Sequence, residues 1–332
     1  MIISRTPFRV SFVGGGTDLK SFYLKEDGRV LSTAIDKYIY VAVKRQTGIV
    51  EHKYRISWDK VEFKKEIDDI ENPIVRETLK FLEIDYPLEV TTFGDVPAST
   101  GLGSSSSFVV GLVHALYALK GQMITKSQLA QIGSHIEINI LKRVIGSQDH
   151  YAAAYGDLNI FTFHANGAVS VEPVFYRPEV KSTLEKNLML FYTALKRDAS
   201  KVLAAQNRKT DEKFDVLRKM KNLVTPLQEV ISSGVNLNQF GEMLHNGWLL
   251  KKSITSGISS PQIEKYYQKA IDAGALGGKL LGAGGGGFLL FYVEPQNQAN
   301  VAKSLSNLPE MKFRFDIAGS RITYYDQTDI NI

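Results

Sequence analysis

Along the chain, alternating apolar and polar positions mark Tyr38 to Lys44 as a half-buried strand, and Leu88 to Phe93 reads as another. In the opening segment Phe8, Val10 and Phe12 fall on one face of a strand and Arg9 and Ser11 on the other, so Arg9 either meets solvent or lines a cleft. Helices are expected near 104–120, including the apolar run Phe108 to Val113, and near 125–142. Residues Val180 to Asn187 read as a connection. A strand over Leu188 to Thr193 follows, then helices through about Lys252 and another over Pro261 to Ala273. Paired strands around Lys279 and Phe288, a helix near 296–307 and closing strands complete the pattern. This order predicts an α+β fold with antiparallel sheets and two domains, 1–178 and 188–332.

Composition narrows the function. The 332 residues are 44% hydrophobic and 23% charged, enough for a substantial core. Without cysteine there is no disulfide frame, thiolate metal site or cysteine nucleophile. Net charge is +5, but the basic residues are scattered pairs, such as Lys44-Arg45 and Lys251-Lys252, among 35 acids. No basic stripe, zinc spacing or RNA-binding signature emerges, so nucleic acid is not an expected partner and the excess charge suits anionic small molecules. No apolar run reaches the roughly 18 residues of a membrane helix, so neither a membrane nor any location but the cytoplasm is expected.

Chemistry concentrates in four segments. The first to stand out is Pro97-Ala98-Ser99-Thr100-Gly101-Leu102-Gly103-Ser104-Ser105-Ser106-Ser107, ahead of the apolar run. Its glycines admit close backbone approach, and its serines sit where a helix begins, with free N–H groups and a positive dipole end. That is a seat for phosphate. It is not a Walker A loop, since no lysine follows the second glycine. At the amino terminus, Arg5 to Asp18 runs from a strand into Gly14-Gly15-Gly16-Thr17-Asp18. Near the other end lies Gly282-Ala283-Gly284-Gly285-Gly286-Gly287. It satisfies the dinucleotide pattern but is followed by the strand-like Phe288 to Val293 rather than a helix, which excludes a Rossmann site. The fourth segment, Ser134 to Tyr151, carries Glu137 and Asp149. Twelve residues on one unbroken helix would separate them by roughly 18 Å. A chain reversal at Gly146, with Ser147 capping a second helix, could bring both to one site.

Together these segments resemble the three signatures of the GHMP kinases, over Arg5 to Gly287. The resemblance implies an amino-terminal domain like domain two of ribosomal protein S5, a ferredoxin-like carboxyl-terminal domain, and a site between them for ATP and Mg2+. It makes Asp149 the residue against the attacking hydroxyl, and Arg9 the group that keeps Asp149 ionised and offsets charge on the transferred phosphoryl. Nucleotide phosphates would lie on Pro97, Thr100, Gly101, Leu102, Gly103, Ser104, Ser105 and Ser106. Magnesium would be held by Glu137 with Ser105, Ser104 being an equivalent choice. Substrate contacts fall to Gly15, Gly16, Thr17, Asp18, Gly284 and Gly285.

In the galactokinase form of the opening signature a glutamate-histidine pair stands where this chain has Gly15 and Gly16. The glycine triplet with Thr17-Asp18, and Gln148 before Asp149, resemble the subgroup that phosphorylates the anomeric hydroxyl of larger or phosphorylated sugars. The implied acceptor is D-glycero-D-manno-heptose 7-phosphate, giving the 1,7-bisphosphate. L-Fucose and galactose are alternatives, and a non-catalytic sugar and nucleotide sensor is the alternative of another class. Lys142, Arg143, Arg197, Lys251 and Lys252 are candidate cations for a distal phosphate, none singled out. A homodimer is left open.

Overall fold

The computed structural model describes residues 1–47, 49–195 and 199–326, so Arg197 lies outside the described residues. Eleven strands are described: β1 (Ile2–Val13), β2 (Gly28–Arg45), β3 (Tyr54–Ser57), β4 (Val61–Lys64), β5 (Leu88–Gly94), β6 (Leu158–Phe163), β7 (Val169–Pro173), β8 (Leu188–Tyr192), β9 (Gly277–Leu280), β10 (Phe288–Tyr292) and β11 (Arg321–Tyr325). Eight form one sheet in the order β11-β1-β2-β5-β3-β4, with β6 on β2 and β7 on β6. Among the described strands of this sheet, only the β3–β5 pairing is parallel. The other sheet is antiparallel, in the order β8-β10-β9.

The helix Ser104–Leu119 is buried on nearly all sides because its residues are apolar on nearly all sides. Gly111 lets it settle on β1: a Cβ there would come 2.8 Å from Thr6 Oγ1. A large cluster including Phe8, Val10, Phe12, Leu190, Phe240 and Leu290 joins the two sheets and their helices. The same alternation that gathers those phenylalanines and Val10 into the core sends Arg9 elsewhere.

Two expectations are corrected. Residues Val180 to Asn187 are part of a helix, Pro178–Asn187: the proline presets its first turn, and Val180 and Leu184, one turn apart, are buried. The expected helix over 125–142 is Lys126–Ser134, started by a Thr125–Gln128 capping box and widened to a π-helical turn over His135–Ile140. It stops before Lys142, whose φ of 56° lies in the left-handed region, so the reversal comes before Gly146. Strand β11 pairs with β1, and Phe315 bridges Ile35, so these residues join the first sheet. Among the described residues no helix is long and apolar enough to cross a membrane.

Candidate active site

A cleft of about 1150 Å³ runs between the two sheets' ends and is lined by residues from all four glycine-rich or acidic segments. At its floor β1 delivers Arg9, which is only 4% exposed. Its Nε donates to Asp149 Oδ1 and its Nη2 to Asp149 Oδ2, both at 2.6 Å. Nη1 donates to the carbonyl of Gly101 at 2.7 Å. This bidentate fork fixes the orientation of Asp149.

Beside it, Gly103 (φ 78°) turns the chain into the helix beginning at Ser104. A Cβ on Gly103 would lie 3.2 Å from Asp149 Oδ2, so glycine brings the helix's first N–H groups next to the carboxylate. Gly101 is pressed against the third glycine loop: a Cβ on Gly282 would come 2.6 Å from Gly101 Cα. The N–H of Phe288 donates to Thr100 O at 3.2 Å, completing a backbone seam between the two loops.

Behind this wall Glu137 is fully buried. Ser106 Oγ donates to its Oε2 at 3.0 Å and His150 Nε2 lies 2.8 Å from the same oxygen, while Arg143 pairs with Oε1. Burial alone would raise this carboxyl, but His150, Arg143 and Ser106 outweigh it and hold it down at about 2. His150 follows Asp149 directly, so the two acidic positions are tied through adjacent residues of the helix Gln148–Tyr155.

At the other end of the floor Asp18 accepts from the N–H of Gly16 and from Gln148 Nε2, each at 2.9 Å. Burial, and secondarily the charge of Asp149, raise its pKa. Gly146 is needed here, since a Cβ would stand 1.8 Å from Asp18 Oδ2. Ser147 makes no side-chain cap, contrary to expectation; its backbone is already helical in φ and ψ. Two buried polar atoms on the cleft wall, Ser11 Oγ and Gln148 Oε1, have no hydrogen-bond partner among the described residues. Unpaired polar atoms of this kind point to a polar occupant.

Comparison with known proteins matches this geometry to a family. Residues 73–157 match GHMP kinases N terminal domain, and residues 234–309 match GHMP kinases C terminal. The chain is 31% identical to D-glycero-alpha-D-manno-heptose 7-phosphate kinase of Campylobacter jejuni, over 92% of this chain and 93% of that protein. The chain belongs to the GHMP kinase family. It is also 25% identical to L-fucokinase/L-fucose-1-P guanylyltransferase of Bacteroides fragilis, over 95% of this chain and 37% of that protein. A crystal structure of a D-glycero-D-manno-heptose 1-phosphate kinase from Bacteroides thetaiotaomicron shares the fold with a TM-score of 0.80, at 23% identity, covering 98% of this chain and 100% of that one.

Not every residue of the GHMP kinase signatures faces the cleft. Gly15, Gly16, Asp18, Pro97, Gly101, Gly103, Ser104, Ser105 and Ser106 line it. Thr17 is buried away from it, its hydroxyl spent on the carbonyls of Gly14 and Arg29. Thr100 and Leu102 are likewise buried: Thr100 Oγ1 bonds Pro97 O, and Leu102 is core while its carbonyl accepts from the N–H of Arg9. Gly284 and Gly285 are also off the wall. The N–H of Gly285 bonds Ile258 O, and a Cβ on Gly284 would come 2.7 Å from the same oxygen, so Gly282 and Ala283 face the cleft instead. The serine bonded to Glu137 is Ser106, whereas Ser105 is exposed to the cleft.

The candidate cations separate. Lys142 is exposed on the cleft wall and Arg143 is committed to Glu137. Lys252 pairs with Glu264 at 2.6 Å, outside the cleft. Lys251 and the unforeseen Lys279 are buried and line it. Nothing in the sequence singled out Lys279, whose burial in the strand Gly277–Leu280 only the structure shows. Trp58 and Phe93, which also line the cleft, carried no sequence signal.

Proposed function

We propose that the chain transfers the γ-phosphoryl group of ATP to the anomeric hydroxyl of D-glycero-D-manno-heptose 7-phosphate, giving the 1,7-bisphosphate. The observation that carries this reading is the Arg9–Asp149 fork beside the Gly101 to Ser106 turn, in a chain resembling a heptose 7-phosphate kinase over nearly its whole length. The nucleotide phosphates lie on the N–H groups that open the helix Ser104–Leu119, and the base reaches toward Trp58 and Phe93. The sugar sits on Gly15, Gly16 and Asp18, where Ser11 Oγ and Gln148 Oε1 await hydroxyl partners. Asp149, held by Arg9, orients the acceptor hydroxyl and takes its proton as the new oxygen–phosphorus bond forms and the bond to ADP breaks.

Glu137 and a neighbouring serine hydroxyl, Ser106 or Ser105, supply the hard oxygen donors that suit magnesium. One carboxylate is enough for an ion that keeps several waters, and among the described residues no cluster of three or more such ligands exists. Arg143 pairs with one side of that carboxylate and would share it with the ion. Magnesium, when bound, neutralises charge on the nucleotide phosphates. We group residues 1–178 with the closing strand β11 as the nucleotide-binding and catalytic domain, and assign the intervening chain from 188 to the carboxyl-terminal domain.

The test is release of ADP from Mg-ATP across heptose 7-phosphate, free heptose, L-fucose, galactose and mevalonate, with the product's anomeric phosphate read by 31P NMR. Heptose 7-phosphate should give the highest kcat/KM. Preference for galactose or mevalonate would overturn the acceptor, and no turnover with any sugar would favour the sensor.

A further inference from the structure

Lys251 lies in the last turn of the helix Asn238–Lys252 and is 7% exposed, yet it reaches the cleft wall. Its Nζ donates to the carbonyl of Gly282, the residue that abuts Gly101. An ammonium has three donors, and this carbonyl takes one. Arg9 from β1, Asp18 from the opening glycine turn, Asp149 from the helix Gln148–Tyr155 and Lys279 from β9 all act on it electrostatically.

The neighbouring cations are already committed. Arg9 gives two N–H groups to Asp149 and a third to Gly101, so the carboxylate largely cancels its charge. Lys279 Nζ is held by the carbonyls of Ser11 and Phe12, at 2.8 and 2.7 Å. A phosphoryl group in transfer spreads negative charge over three oxygens, which needs a cation with donors to spare.

We propose that Lys251 is a further catalytic residue, whose ammonium contacts the oxygens of the transferred phosphoryl group beside Asp149 and Gly282. This rests on the kinase reading above. In the step, a lone pair of the acceptor oxygen forms the bond to phosphorus while ADP leaves with the electrons of the broken bond. Asp149 takes the hydroxyl proton, and Lys251 stays protonated and forms no covalent bond. Burial, and then Arg9, push the Lys251 ammonium down to about 8, with Asp18 and Asp149 opposing. It is therefore charged near neutral pH and loses its proton in mildly alkaline solution.

The experiment compares the full-length chain with its Lys251→Met and Lys251→Arg variants in ADP release, using Mg-ATP with heptose 7-phosphate and with free heptose, from pH 6 to 10. Loss of the cation should lower kcat by about 10²-fold or more on both acceptors, with little change in either KM. The parent's rate should fall above about pH 8, and Lys251→Arg, which stays charged, should lack that alkaline limb. A Lys251→Met variant that keeps its kcat overturns the proposal. So does one whose only defect is a raised KM for the phosphorylated acceptor, which would place the lysine on the sugar's own phosphate. If Lys251→Met fails to fold, judged by its thermal melt, the pH profile of Lys251→Arg decides alone: an unchanged alkaline limb refutes the role. A parent chain inactive on both sugars refutes the kinase reading itself, so the two failures are distinct.

Discussion

Asp149 and Glu137 are both carboxylates near one cleft, but their surroundings give them different work. Asp149 is held by a single guanidinium with part of it open to the cleft, whereas Glu137 is sealed behind Ser106, His150 and Arg143. Asp149→Asn keeps the shape of the side chain and removes its capacity to take a proton. It should lower kcat by roughly 10²–10⁴-fold while ATP affinity, measured by calorimetric titration, stays within a few-fold of the parent. For Glu137 the depression from 4.5 to about 2 is a stability term on the order of 3 kcal/mol. Because the folded value is the lower one, that contribution is fully present above pH 4.5 and disappears as pH falls toward 2. Urea midpoints measured from pH 6 to 2.5 should therefore drop less steeply for Glu137→Gln, which starts lower at neutral pH; a parallel decline would show that the carboxylate carries no such term. The pairing of Arg9 with Asp149 was implied by the family resemblance, whereas strand alternation by itself said only that Arg9 meets solvent or lines a cleft. Lys279 had no such sign, because nothing local distinguishes a lysine in a strand from a solvated one until the carbonyls of Ser11 and Phe12, on a strand of the other sheet, are in place.

Among the elements, the glycine loops show how a motif can be legible while its use is not. Gly282 (φ 69°) and Gly101 (φ 83°) meet backbone to backbone, so their lack of side chains serves contact between loops as much as contact with phosphate. Gly282→Ala should cost about 1–3 kcal/mol from strain and crowding together, and should lower kcat/KM by separating the loops. Gly121→Ala provides the comparison, since Gly121 has φ 68° but nothing within 4 Å of an added Cβ. Equal losses in urea midpoint for the two variants would mean that the seam contributes nothing beyond backbone strain. Sequence periodicity located the strands β5 and β8 and the helix at Pro261 closely, because β5 and the helix bury one face in a short regular run and β8 is a short continuous apolar run buried on both. It misread Pro178–Asn187, where Val180 and Leu184 are too few to announce a helix amid charged neighbours. Gly146 was read as a break because glycine often is one, whereas its task is to admit the Asp18 carboxylate.

For the molecule as a whole, the sequence pattern disclosed an α+β fold with antiparallel character, but not that Arg321–Tyr325 returns to pair with the first strand. Strand β11 is largely exposed and short, so its local pattern could not name β1 as the partner. A chain ended after Ser320 should retain most of its core and lose the hydrogen bonds that β11 gives to Ile2–Arg5. Its thermal midpoint should fall by several degrees, and light scattering on heating should detect association through the newly open edge of β1. A truncated chain with an unchanged midpoint and no association would show that the pairing is dispensable. The route of the chain also bears on its birth. Because β1 gains one of its two neighbours only from Arg321–Tyr325, a growing chain keeps one edge of the strand that carries Arg9 open until those residues have left the ribosome, and wrong partners can reach that edge until then.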